Sequence, residues 1–137
     1  MCSSDLAEAW PGVSLVIAYS TCIAHGFEMS QSMAQQKLAV QSGHWPLYRY
    51  RPADDPAAQP FSLDSAAPSV DYADFARTEA RFAMLARANP ERAAELIDLA
   101  RADVATRWDY YQQLAGVHRA QPGHAGGVLM ADEEDDA

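Results

Sequence analysis

Val13-Ser-Leu-Val-Ile-Ala-Tyr-Ser-Thr-Cys-Ile-Ala-His-Gly26 is the stretch whose reading decides the fold. Its first seven residues, Val13 to Tyr19, carry six apolar or aromatic side chains without alternation. That is the pattern of a strand covered on both faces. The run then breaks into small residues, a cysteine, and a glycine that opens the next element. In an open α/β sheet, ligands sit just beyond the carboxyl ends of the strands. Cys22 stands at that address, with the chemistry to hold a soft metal centre.

On the amino-terminal side, Leu6 to Trp10 reads as the end of a helix closed by Pro11-Gly12. On the other side, Phe27 to Gln41 reads as a helix with Met29, Met33 and Val40 on one face. Gly43 sits where the left-handed residue after a helix belongs. Pro46 to Tyr50 follows as a short second strand, its proline suited to a first or edge position. Arg51 to Ser69 holds four prolines and the Asp54-Asp55 pair. At about twenty residues it exceeds an ordinary loop, and is expected to wrap a surface supplied by something larger.

Two helices are then predicted. Tyr72, Phe75, Phe82 and Leu85 fall mostly on one stripe, with Glu79 as an interruption. Asn89 is a good helix cap, Pro90 a favoured first residue, and Glu91 complements the helix dipole. Ile97, Ala100, Val104, Trp108, Tyr111 and Ala115 then recur at helical steps. The pair is compatible with an αα-hairpin. From Gln121 onward proline, glycine and acid dominate, and no structure is assigned.

The chain has 137 residues, enough for one domain with a modest core. Its net charge is −9, five of which sit in Asp132-Glu-Glu-Asp-Asp136. No basic stripe appears, so nucleic-acid binding is not expected. The longest apolar run falls short of the ~18 residues of a membrane helix, and neither a membrane span nor a signal peptide is expected. Two cysteines twenty residues apart make no disulfide framework and fit a reducing cytoplasm.

Taken alone, Cys22 would most simply be a small buried hydrophobe. Cys22 and His25 share a Cys-x-x-His spacing, but His44, His118 and His124 complete no zinc site. Trp45, Tyr48 and Tyr50 are expected to pack rather than to stack on bases. No nucleophile elbow and no glycine-rich phosphate loop is present.

Five blocks lie in an order and spacing that resemble one family: the Val13–Gly26 run, Gln35-Gln-Lys-Leu-Ala-Val40, Ser42-Gly-His-Trp-Pro-Leu-Tyr-Arg-Tyr50, Pro60-Phe-Ser-Leu-Asp-Ser65, and Asn89-Pro-Glu-Arg-Ala-Ala-Glu-Leu96. They are similar to the C-terminal end of pyruvate:ferredoxin (flavodoxin) oxidoreductases, large enzymes with thiamine diphosphate and iron–sulfur clusters. The resemblance runs from about Glu8 to about Ala115, and Met1-Cys-Ser-Ser-Asp-Leu6 lies outside it.

The family's Ser-x-Cys-Ile-x-x-Gly segment matches Ser20-Thr21-Cys22-Ile23-Ala24-His25-Gly26. The resemblance implies that Cys22 is the last of four thiolates on a [4Fe–4S] cluster, the other three lying upstream of this segment. His25 would then be a hydrogen-bonding loop residue near the cluster. The family's Gly-Asp-Gly motif for Mg²⁺ and thiamine diphosphate is absent, so no ligand for either is carried over.

The expected class is therefore α/β. Residues 1–7 are a non-native or capping segment, and residues 8–52 a strand-helix-strand piece of a thiamine-diphosphate-binding domain. Residues 53–69 are an extended connector, residues 70–119 a helical hairpin extension, and residues 120–137 a disordered acidic tail. As the resemblance implies, the parent enzyme is a homodimer that takes pyruvate and coenzyme A and passes electrons to ferredoxin or flavodoxin. The piece alone is expected to be inactive. A reading from another class stays open, a stand-alone helical interaction module without catalysis.

Overall fold

The structure, a computed structural model, describes residues 3–52 and 59–117. Its helices are α1 (Ser3–Glu8), α2 (Ser32–Gln41), α3 (Tyr72–Arg77), α4 (Ala80–Ala88) and α5 (Pro90–Ala115). Two 3₁₀ turns, Ile23–His25 and Met29–Gln31, precede α2. Strands β1 (Tyr48–Tyr50) and β2 (Phe61–Leu63) lie between α2 and α3. Helices with a small sheet fit the α/β class expected. Cys2, His118, His124 and the acidic tail lie outside the described residues.

The longest element is α5, and its start is set locally. The Asn89 side chain accepts from the Arg92 N–H at 3.0 Å, and Pro90 occupies the first turn. The α3 start is capped by Asp71, which accepts from the Ala73 N–H at 2.7 Å and from Arg101 of α5 at 2.8 Å. One side chain thus caps one helix and ties it to another. Helices α3 and α4 both pack on α5, completing the helical hairpin.

The apolar core is built largely from small residues: Ala39, Ala73, Phe75, Ala76, Ala93 and Val104 are buried. Alanines let helix backbones approach closely but each buries little area. Phe75, fully buried, carries most of the apolar volume; it stacks on His44 at 4.7 Å and tilts against Tyr72. Gly43 closes α2 at φ +72°, as its position after the helix predicts. A Cβ there would come within 2.8 Å of Pro68 and 2.9 Å of Val104, so glycine also allows the helix end to dock.

The strand expected at Val13–Tyr19 does not form. These residues belong to no helix or strand, and Val13 and Leu15 are 98% and 83% exposed. A strand is stable only when a neighbour takes its backbone hydrogen bonds. Among the described residues none is available, because β1 pairs with β2. The expected strand-helix-strand unit is therefore replaced by an antiparallel hairpin, with Tyr48 opposite Leu63 and Tyr50 opposite Phe61. Its second strand lies in the stretch expected as a connector. Tyr48 stacks on Phe61 and on Tyr111 of α5, both at 5.2 Å, which fastens the hairpin to the long helix.

Two helix expectations also change. The segment from Phe27 becomes α-helical only at Ser32, and Met29 and Met33 are exposed. The face that docks carries Gln35 and Ala39, because what α2 meets is a polar group. The stripe from Tyr72 to Leu85 is broken into α3 and α4 at Thr78-Glu79, where Glu79 is extended (φ −112°, ψ 125°).

Candidate functional site

Cys22 sits on a short loop held at both ends. On its amino-terminal side Thr21 is buried, and its hydroxyl lies 2.6 Å from that of Ser32 at the start of α2. Cys22 itself is extended (φ −127°, ψ 137°) and enters the Ile23–His25 turn, its carbonyl accepting the His25 N–H at 2.9 Å.

Gly26 ends the turn in left-handed conformation at φ +71°, a backbone that side chains rarely tolerate. Its carbonyl accepts the Ala80 N–H of α4 at 2.9 Å, and a Cβ on Gly26 would lie 2.6 Å from that of Ala80. The glycine therefore closes the turn where it touches α4. The Cys22 thiol is free and exposed.

Beneath the loop lies a buried polar group. Glu79 has a side chain that is 0% exposed, and its carboxyl oxygens are paired. Arg81 Nε donates to its Oε2 at 2.6 Å, and Gln35 Nε2 of α2 donates to its Oε1 at 3.0 Å. His25 Nδ1 stands 3.9 Å from the same Oε1. The Thr78 hydroxyl lies 2.6 Å from the Phe75 carbonyl and 2.9 Å from Gln35 Oε1, so it joins the helix break to the same group.

An aromatic wall flanks this group. Tyr19 packs on Trp45 at 5.4 Å and edge-on to His44 at 5.9 Å. Burial, and then the Glu79 charge, push the Tyr19 phenol above its ordinary range. Tyr72 is raised chiefly by burial.

His44 is shifted the other way. Burial, then the nearby Arg107 guanidinium, hold its pKa below the usual histidine value. The unfolded chain therefore takes up the proton first, near pH ~6.5, while the folded chain resists it to lower pH. The folded state loses stability as pH falls through that window, and above it the contribution is complete. The urea midpoint of the chain is expected to drop between pH 7 and pH 5, and His44→Phe, which keeps the stack on Phe75, should flatten that drop.

Among the described residues no group of three or more His, Cys, Asp or Glu side chains is placed to hold a metal ion. Cys22 is one soft donor, and its chemistry fits one corner of an iron–sulfur cluster. Any other ligands must come from outside the described residues. His25 lies on the same loop but faces Glu79, and among the described residues no second ligand pair accompanies it. Trp45 packs against Tyr19 as expected, whereas Tyr48, although stacked on Phe61 and Tyr111, and Tyr50 are both exposed. A shallow apolar groove of 370 Å³ lies elsewhere, lined by Pro68, Val70, Tyr72, Arg101 and Trp108 among others. It does not reach Cys22. Gln35 and Arg81 were not legible as site residues; the one signal was an acid, Glu79, on an apolar stripe.

No family model matches the chain. Comparison with curated proteins is more informative. The chain is 49% identical over 110 residues to a pyruvate-flavodoxin oxidoreductase of Trichormus variabilis, covering 80% of this chain and 9% of that protein. It is 44% identical over 117 residues to the pyruvate-flavodoxin oxidoreductase of Rhodospirillum rubrum, covering 85% of this chain and 10% of that protein. It is 42% identical over 110 residues to the pyruvate:ferredoxin oxidoreductase of Moorella thermoacetica, covering 80% and 9%. The matched region is thus most of this chain and a small part of each relative. Over most of its length the chain is similar to pyruvate:ferredoxin (flavodoxin) oxidoreductases, and it spans 9–10% of the length of these relatives.

Proposed function

We propose that this chain is the C-terminal portion of a pyruvate:ferredoxin/flavodoxin oxidoreductase and that Cys22 supplies one thiolate to a [4Fe–4S] cluster of the whole enzyme. The observation that carries the reading is the Cys22 loop. Its thiol is exposed and free, while Thr21 and Gly26 on either side are fixed to α2 and α4. A metal ligand needs that combination of access and pre-organisation. The sequence identity to named oxidoreductases supplies the chemical context.

In the whole enzyme, pyruvate and coenzyme A become acetyl-CoA, CO₂ and a proton, and two electrons leave for ferredoxin or flavodoxin. Thiamine diphosphate with Mg²⁺ provides the carbanion chemistry and the clusters carry single electrons. This chain's own part is to hold one thiolate in place and to pack on the thiamine-binding domain. The largely exposed Val13–Tyr19 run supports that packing, since six apolar or aromatic residues out of seven suit a strand inside a larger sheet. Residues 8–52 would complete that domain, and residues 70–119 would form a helical layer on its outside. The parent is a homodimer of the reducing cytoplasm, where the Cys22 thiol stays available as a ligand.

Anaerobic reconstitution of the 137-residue chain with iron and sulfide, paired with a size measurement, tests the single-thiolate reading. It is expected to give no stoichiometric [4Fe–4S] centre and no pyruvate-dependent reduction of flavodoxin. A dimer holding one intact cluster through paired copies of Cys22 and Cys2 would overturn it.

A further inference from the structure

A carboxylate with no solvent exposure needs several partners, because burial strips it of water that one neighbour cannot replace. Glu79 has them, and they come from different parts of the fold. Oε1 accepts from Gln35 of α2 and faces His25 of the Cys22 loop; Oε2 accepts from Arg81 of α4. The next residue, Ala80, donates its N–H to the Gly26 carbonyl. The Glu79 carboxyl thus lies 3.9 Å from His25 Nδ1 without a hydrogen bond, and the adjoining Ala80 N–H bonds the carboxyl-terminal end of the loop.

It also reaches the other end. Gln35 and Ser32 are three residues apart on one face of α2, and Ser32 is the residue that anchors Thr21. Contacts therefore run from Glu79 to both sides of Cys22, through Gln35 and α2 to Thr21 and through Ala80 to Gly26. Within the loop, the His25 N–H is bonded to the Cys22 carbonyl, so movement of His25 moves the cysteine backbone.

We propose that Glu79 is the positioning residue of the Cys22 loop, and that it tunes the reduction potential of the cluster Cys22 ligates. The inference rests on the reading of Cys22 as a cluster thiolate. Cluster potentials respond to nearby net charge and to how the ligands are held. Replacing Glu79 by glutamine keeps the volume, removes one negative charge, and leaves Arg81 without its counter-charge. The site is then one unit more positive, which favours the reduced cluster.

The test uses the full-length oxidoreductase that carries this segment, in wild-type, Glu79→Gln, Gln35→Met and Cys22→Ser forms. Iron per protomer, the electron paramagnetic resonance of each reduced cluster and its midpoint potential are read. Glu79→Gln is expected to retain its iron, to raise the midpoint potential of the one signal that Cys22→Ser removes, and to alter that signal's line shape. Gln35→Met, which leaves the charge in place, is expected to broaden the same signal with a smaller shift in potential.

If Cys22→Ser removes a signal while both other variants leave its potential and line shape unchanged, the role of Glu79 is wrong and the ligand reading stands. If Cys22→Ser leaves every signal intact, the ligand reading itself fails. Equal loss of all signals in both Glu79→Gln and Gln35→Met would assign these residues to folding alone and overturn the proposal.

Discussion

Cys22→Ser in the full-length oxidoreductase is expected to cost one [4Fe–4S] cluster and to lower pyruvate-dependent flavodoxin reduction by more than ~100-fold. Serine offers a harder, more basic oxygen in place of a soft thiolate, a poor match for iron–sulfur iron. Loss of a residue that merely orients a ligand typically costs about 10–100-fold in affinity or activity, so loss of the ligand should exceed that range. Folding should not be the cause. The contacts that fix the loop run through the Thr21 hydroxyl, the His25 N–H and the Gly26 carbonyl, and none uses the Cys22 sulfur.

An exposed Cys-to-Ser change belongs to the class of surface substitutions worth less than about 0.5 kcal/mol. The thermal melt should stay where it is while iron content falls by one cluster and the other signals persist. Full iron content with unaltered spectra would take Cys22 out of the site.

How far the sequence foretells this arrangement depends on the range of the forces involved. The Asn89 cap, Pro90 and the Gly43 helix stop are legible because each acts within one turn of itself. The Val13–Tyr19 strand is not realised, because a strand depends on partners elsewhere and the described residues provide none beside it. Strand β2 is only Phe61–Leu63, too short to leave a pattern, and stands by stacking on Tyr48 and Tyr111.

Glu79 shows the intermediate case. Its place on an apolar stripe marks an anomaly, but the partner that gives it meaning, Gln35, lies 44 residues earlier. The Met29 and Met33 stripe misleads for the same reason. The face of α2 that docks is chosen by the buried carboxylate, and Gln35 answers it better than methionine. A ligand role for Cys22 is what the family resemblance implies. Composition alone would have left it a small hydrophobe, whereas the structure places it in the open.

Phe75→Ala is expected to abolish cooperative folding of the chain, or to bring it to the edge of doing so. The apolar core is mostly alanine, with Ala39, Ala73, Ala76 and Ala93 beside Val104, and among the described residues Phe75 is the one large apolar side chain with under 2% exposure. Truncating a buried phenylalanine costs about 3–5 kcal/mol in lost transfer energy and cavity formation. A domain of this size has only about 5–15 kcal/mol in all. Here the chain should sit low in that range, since Val13, Leu15, Val16 and Ile17 stay uncovered and contribute little.

The cavity would also open beside His44, whose ring stacks on Phe75, and against Tyr72, so the loss should spread along α3. Phe75→Leu keeps most of the volume and should cost less than about 1.5 kcal/mol. Met33→Ala, on the exposed face of α2, should stay within about 0.5 kcal/mol. Urea titrations followed by far-ultraviolet circular dichroism would rank the three. A Phe75→Ala midpoint equal to that of Met33→Ala would mean that the chain is held together by its polar group around Glu79 rather than by this small apolar core.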